Sequence, residues 1–194
     1  MSNTNDVDFG PLEALIGVWT GGEGMDIAPD PHDEETNSYF ETITCSPLRG
    51  VTNAERQNLA AVHYCQIVQR KSDGEVIHHE TGYYMLDADT RGVMHSLVIP
   101  RAVCVLAGGT YSGKTDPHGR VVIEVSAGID DENWKIIQSP FMAENATTTA
   151  FNQEIIVGNG RLSYAETTTV KIYDKTFEHT EKNNLILIIM KGDI

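Results

Sequence analysis

The chain has 194 residues, of which 40% are hydrophobic and 22% charged, a balance typical of one soluble globular domain. Its 14 basic residues stand against 28 acidic residues, so the net charge is −14. This charge repels phosphate backbones and anionic lipid surfaces, which argues against nucleic-acid and membrane partners.

The N-terminus is polar and acidic and lacks the basic start and apolar core of an export signal. The sequence therefore predicts a cytoplasmic protein with a single domain over 1–194, in which 1–8 are disordered. Three widely separated cysteines, Cys45, Cys65 and Cys104, provide neither a disulfide framework nor a CxxC zinc motif.

A short helical cap is predicted over 11–16, because Pro11 suits a first helical turn and Gly17 ends it. Trp19 follows and is well placed to plug the base of a barrel. From Val18 onward, runs rich in Val, Ile, Thr and Tyr alternate with turn-forming residues. The predicted strands lie at about 18–27, 36–46, 58–70, 75–87, 92–98, 101–112, 120–127, 133–138, 146–157, 161–173 and 184–191.

Turn signals separate several of these runs by only a few residues. They are Ser72-Asp73-Gly74, Asp87-Ala88-Asp89 and Gly158-Asn159-Gly160. Strands joined in this way form a meander, and closing the meander removes its exposed edges. We therefore expect an all-β fold, a ten-stranded antiparallel up-and-down β-barrel of calycin or lipocalin-like shape with an internal ligand cavity. A two-sheet sandwich is the alternative.

His179 is the main candidate functional residue. The sequence places it in an irregular connection just before the last apolar strand, where an ordinary solvated loop histidine is one interpretation. The functional interpretation is a ligand at the barrel rim, which needs a neutral imidazole whose other ring nitrogen is fixed by a hydrogen bond.

The other histidines give weaker signals. His78 and His79 are adjacent in a strand, so they point to opposite faces and cannot bind one metal together. His63 and His95 lie in other predicted strands, and a metal site built from several strand histidines remains an alternative. The chain contains neither a GxSxG elbow nor a P-loop.

Three stretches together resemble the nitrobindin family of haem-binding β-barrels. The first has Gly17, Trp19 and Gly21 in the spacing of the family's GxWxGxG region. The second is Tyr64-Cys65-Gln66 followed by His78-His79-Glu80-Thr81-Gly82-Tyr83, and the third is Gly160-Arg161-Leu162-Ser163-Tyr164 followed by His179. Where the family tends to show a Tyr-Pro-Thr element, this chain has Met25-Asp26-Ile27-Ala28-Pro29.

The resemblance implies a barrel that holds one haem b, with His179 as the axial ligand of the iron. It also implies binding of nitric oxide and isomerisation of peroxynitrite to nitrate, by a protein that is a monomer or homodimer.

The alternative is a carrier that uses the same cavity, without haem, for a fatty acid or another apolar small molecule. Such a carrier would anchor a carboxylate with an inward cation, for which Arg70 and Arg101 are the candidates.

Overall fold

The computed structural model describes residues 7–29, 34–48 and 50–190. Of the predicted disordered segment, residues 1–6 lie outside this described part, whereas Val7 packs against the core. Among the described residues, none of the helices has the length and apolar character needed to cross a membrane.

The fold is all-β, and ten long strands form a closed antiparallel barrel. The barrel strands are β1 (Gly17–Pro29), β2 (Glu34–Pro47), β4 (Gln57–Arg70), β5 (Val76–Asp87), β6 (Gly92–Ile99), β7 (Val103–Thr110), β8 (Val121–Gly128), β10 (Ala146–Gly158), β11 (Arg161–Ile172) and β12 (Lys175–Met190), while β3 (Val51–Asn53) and β9 (Ile136–Gln138) are short additional strands. A short helix, α1 (Pro140–Asn145), precedes β10.

The barrel closes because its first strand pairs with its last. Gly17 of β1 lies opposite Met190 of β12, and Ile27 lies opposite Thr180. Every other neighbouring pair consists of barrel strands that are consecutive in the chain. The predicted ten-stranded up-and-down barrel is confirmed, and the two-sheet sandwich is wrong.

Tight turns make these hairpins possible. In the turn between β10 and β11, Asn159 and Gly160 have φ angles of 54° and 69°. This left-handed pair is the conformation that suits a two-residue hairpin, and Asn-Gly adopts it with little strain. The turn between β11 and β12 is formed in the same way by Tyr173 and Asp174, with φ angles of 53° and 58°.

One end of the barrel is closed by the predicted cap, which is a 3₁₀-helix over Gly10–Leu15. Leu12 and Leu15 on this helix are buried, and the indole nitrogen of Trp19 donates a hydrogen bond of 2.7 Å to the Leu15 carbonyl. We call this the closed end. The turns after β4, β6 and β11 lie at the opposite end, the open end.

The last strand is the main correction to the sequence prediction. β12 begins at Lys175, about nine residues before the predicted start, so His179 lies within a regular strand and not in an irregular connection. The inward positions of its first half are mostly polar, and the strand therefore lacked the apolar signal on which the prediction relied.

Candidate functional site

The inner face of β12 carries alternate residues from Phe177 to Leu185. Because successive strand side chains point to opposite faces, His179, Glu181 and Asn183 all face the barrel interior. Leu185 and Asn183 are buried toward the closed end, and the His179 side chain, nearer the open end, keeps 26% of its surface exposed. The site is thus a polar stripe that runs along β12 to the open end.

His179 is held between two carboxylates. Its Nε2 lies 2.6 Å from Oδ1 of Asp26 on β1 and 3.3 Å from Oε1 of Glu181. Burial lowers the pKa of His179, but the bond to Asp26 and the charge of Glu181 outweigh burial and raise it overall. We call Asp26, His179 and Glu181 the rim cluster.

A second polar group crosses the interior from the rim to the core. His78 Nε2 lies 3.4 Å from Oε2 of Glu80, and the Tyr64 hydroxyl donates a hydrogen bond to the same carboxylate. The Tyr64 oxygen lies 2.8 Å from His95 Nε2. Since Tyr64 uses its proton on Glu80, Nε2 of His95 is the donor in this last contact.

His95 is therefore a neutral core histidine. It is fully buried, its ring stacks on Tyr84 at a centroid distance of 4.2 Å, and its Nδ1 has no hydrogen-bond partner. Burial lowers its pKa to about 4, so the ring carries no proton on Nδ1 near neutral pH.

Glu41 on β2 anchors a belt of hydrogen bonds across the middle of the barrel. Its carboxylate accepts bonds from Asn183 (2.6 Å), Gln66 (2.8 Å) and Tyr164 (3.1 Å), while Tyr39 lies 3.1 Å from the Tyr164 hydroxyl. Burial raises the pKa of Glu41 to about 7 despite these donors. The belt separates the open end from the apolar core.

Glu166 on β11 is a further, partly buried acid at this level. It accepts a 2.9 Å bond from Gln153, which in turn accepts one of 3.1 Å from Tyr84. Burial, reinforced by the negative charges of Glu80 and Glu181, raises the pKa of Glu166 well above its ordinary value. The open end therefore contains acids that hold protons more readily than free glutamate.

Below this belt the interior is filled by side chains. The small gap that remains there has a volume of about 10 Å³ and is lined by residues that include Leu15, Ile43 and Ile155. The apolar core therefore does not contain the expected ligand cavity.

The other candidates from the sequence are histidines on neighbouring strands and glycines that follow Trp19. His78 and His79 point to opposite faces as predicted, and His79 lies on the outside, 3.5 Å from Cys65 Sγ. His63 also lies outside, bonded to Thr81, so the strand histidines do not converge on one metal. Of the glycines after Trp19, Gly24 makes room for the Tyr39 ring, which a Cβ there would approach to 2.0 Å.

Asp26, Glu181, Glu80 and Glu166 are the site residues that sequence reasoning missed. Asp26 was visible only as part of the departure from the Tyr-Pro-Thr element, and it is this departure that provides the partner of His179. Phe177, His179, Glu181 and Asn183 occupy alternate positions along the chain. This period-two spacing indicates a strand, although most of these residues are polar.

A haem-binding site needs an inward histidine whose ring is fixed and an apolar wall for the porphyrin. His179 faces the interior, and the Asp26 carboxylate contacts one ring nitrogen. β6 and β7, halfway round the barrel from β1 and β12, bury Leu97, Val103 and Val105. The chain's residues fit the group in both respects.

The fold and this site define a closed calycin-like β-barrel with an inward histidine near its open end. The family model described as "THAP4-like, heme-binding beta-barrel domain" matches residues 8–186, and the chain belongs to this family. The resemblance to the nitrobindin family is thereby confirmed.

A solved structure, Rv2717c from M. tuberculosis, has the same fold with a TM-score of 0.64 and 20% sequence identity. The match covers 93% of this chain and 99% of that one. A search of the curated proteins found no match.

Proposed function

We propose that this barrel binds haem b at its open end, with His179 as the axial ligand of the iron. The observation that carries the proposal is the position of His179 on the inner face of β12, with Asp26 at its ring nitrogen, in a chain that belongs to a haem-binding barrel family. A carboxylate beside a ligating histidine orients the ring and increases its basicity.

In the part of the chain that the structure describes, two other histidines face inward, and both are less suited to this role. His95 is fully buried and bonded to Tyr64, and its ring stacks on Tyr84. His78 is nearer the open end but lies beside Glu80, which also accepts a bond from Tyr64. His179 is thus the best placed axial ligand.

We propose further that the bound haem serves to bind nitric oxide and to isomerise peroxynitrite to nitrate. When bound, haem supplies an iron that accepts nitric oxide and polarises the oxidant. In this chain, Asp26 orients the His179 ring, Leu97, Val103 and Val105 form the apolar wall, and His78 with Glu80 holds a proton beside the site.

The alternative function, a fatty-acid carrier, receives less support from the interior. Arg70 is engaged by Asp73 at 2.9 Å and Glu75 at 2.8 Å, and Arg101 is exposed in a turn. The groups near the site are instead acids: Glu41 and Glu80 are buried, and Glu166 is partly buried. A fatty-acid carboxylate would meet acidic residues where it needs a cation.

Reconstitution with hemin tests this proposal. We expect the wild-type protein to take up one equivalent of hemin and to show a Soret band, and we expect His179→Ala to lose at least tenfold in hemin affinity because the iron loses its ligand. His118→Ala, which removes a histidine from an exposed turn, is the control and should behave as wild type.

Two results would count against the proposal. One is a wild-type protein that takes up no stoichiometric hemin, and the other is an unchanged affinity in His179→Ala. Nitrate formation from peroxynitrite by the reconstituted protein, compared with free hemin, tests the isomerase activity separately.

A further inference from the structure

Asp26 and Glu181 lie directly opposite each other in the pairing of β1 with β12. Both side chains face the interior, where they are mostly buried, with 14% and 12% of their surfaces exposed. Like charges in directly opposite positions of an antiparallel pair destabilise it. This register therefore favours a bound proton or a positive charge between the two strands.

Lysine and arginine do not provide that charge in the described part of the chain. Their ion pairs lie elsewhere: Arg70 with Asp73 and Glu75, Lys114 with Glu124 and Glu154, and Arg120 with Asp116. Among the described residues a histidine, His179, contacts the two carboxylates, and the charge of His78 also acts on Glu181. A further acid, Glu80, adds negative charge nearby.

The three ligand atoms of the rim cluster are already close together. His179 Nε2, a carboxylate oxygen of Asp26 and one of Glu181 all lie within 4.8 Å of one another. Two atoms bound to one ion at ~2.1 Å and at a tetrahedral angle are ~3.4 Å apart. The distance from His179 Nε2 to Glu181 Oε1 is 3.3 Å and already has this spacing, whereas the 2.6 Å contact of Nε2 with Asp26 needs to widen.

We propose that Asp26, His179 and Glu181 bind a divalent transition-metal ion, and that this ion weakens haem binding to His179. One imidazole nitrogen and two carboxylate oxygens are a donor set that suits Zn²⁺, Fe²⁺ or Mn²⁺. The ion neutralises the facing carboxylates, and water completes its coordination. The ion takes His179 Nε2 and the Asp26 carboxylate, so it removes the contact that orients the ring and increases its basicity, and haem binding at the other ring nitrogen weakens.

Calorimetric titration of the haem-free, metal-free protein with ZnCl₂ tests this site. The background is Cys65→Ser, because Cys65 and His79 on the outer surface could bind zinc weakly. We expect one equivalent of Zn²⁺ to bind, and Asp26→Asn and Glu181→Gln each to weaken binding at least tenfold. Glu178→Gln is the matched control, since it removes an exposed carboxylate from the outer face of β12.

Saturating Zn²⁺ should also lower hemin uptake by the Cys65→Ser parent, which keeps both Asp26 and Glu181. It should not lower hemin uptake by Asp26→Asn or Glu181→Gln. The metal site is ruled out if Zn²⁺ does not bind, or if Asp26→Asn and Glu181→Gln, with unchanged circular dichroism spectra, bind it as tightly as their parent. If hemin is not taken up but Zn²⁺ binds as expected, the haem proposal is contradicted and the metal site is not. The two proposals are therefore tested independently.

Discussion

Replacing Trp19 with alanine is expected to lower the free energy of unfolding by about 4 kcal/mol, because removing a buried aromatic ring leaves a cavity in the core. Trp19 is only 1% exposed, and its indole nitrogen bonds to the Leu15 carbonyl of the 3₁₀-helix. The substitution therefore removes both the packing and the bond that attach this helix to the closed end.

Urea denaturation measures this effect, and Trp19→Phe is the matched control. Phenylalanine keeps most of the ring but lacks the indole N–H, so we expect it to cost less, about 2 kcal/mol. A Trp19→Ala protein whose unfolding free energy lies within ~0.5 kcal/mol of the wild type would show that the tryptophan does not close the barrel.

The second large effect is a loss of stability between pH 5 and pH 8 in the haem-free and metal-free protein. Glu41 has its pKa raised from an ordinary 4.5 to about 7, a difference that corresponds to about 3 kcal/mol. Below pH 4.5, Glu41 is protonated in both the folded and the unfolded chain. Between the two values the unfolded chain releases the proton while the folded chain keeps it, so the stability decreases as the pH rises.

Other groups in the interior modify this trend. Glu166 acts in the same direction, since burial also raises its pKa. His95 acts in the opposite direction up to its ordinary pKa of 6.5, because burial lowers its pKa to about 4 and the unfolded ring binds a proton first. We expect a net decrease of about 2 kcal/mol from pH 5 to pH 8.

Unfolding midpoints at the two pH values measure the trend, and Glu166→Gln tests its origin. Glutamine can still accept the bond from Gln153 but has no charge to bury, so the decrease should be smaller in this variant. A wild-type protein that is equally stable or more stable at pH 8 would show that the buried acids do not control the pH dependence.

The barrel could be predicted because its turns are specified locally. Gly158-Asn159-Gly160 and Ser72-Asp73-Gly74 each join two strands of the final structure, and Asn159 has the positive φ that the sequence indicated. Signals of this kind need only a few neighbouring residues.

The site could be predicted only in part. His179 was singled out, but its contact Asp26 is 153 residues away in the chain, and the two meet only through the register of β1 on β12. Glu166 was not singled out because an inward acid does not fit the rule that interiors are apolar. Cross-strand partners and buried charges both depend on the closed barrel, which local sequence signals do not describe.

The most direct test of His179 as an iron ligand is the iron–histidine stretching band of the ferrous haem complex in resonance Raman spectra, recorded with natural and with ¹⁵N-labelled histidine. We expect a band that shifts on labelling in the wild type, is absent from His179→Ala, and returns when imidazole is added to that variant. A labelled-histidine band that persists in His179→Ala without imidazole would contradict the account, because another histidine would then be the ligand.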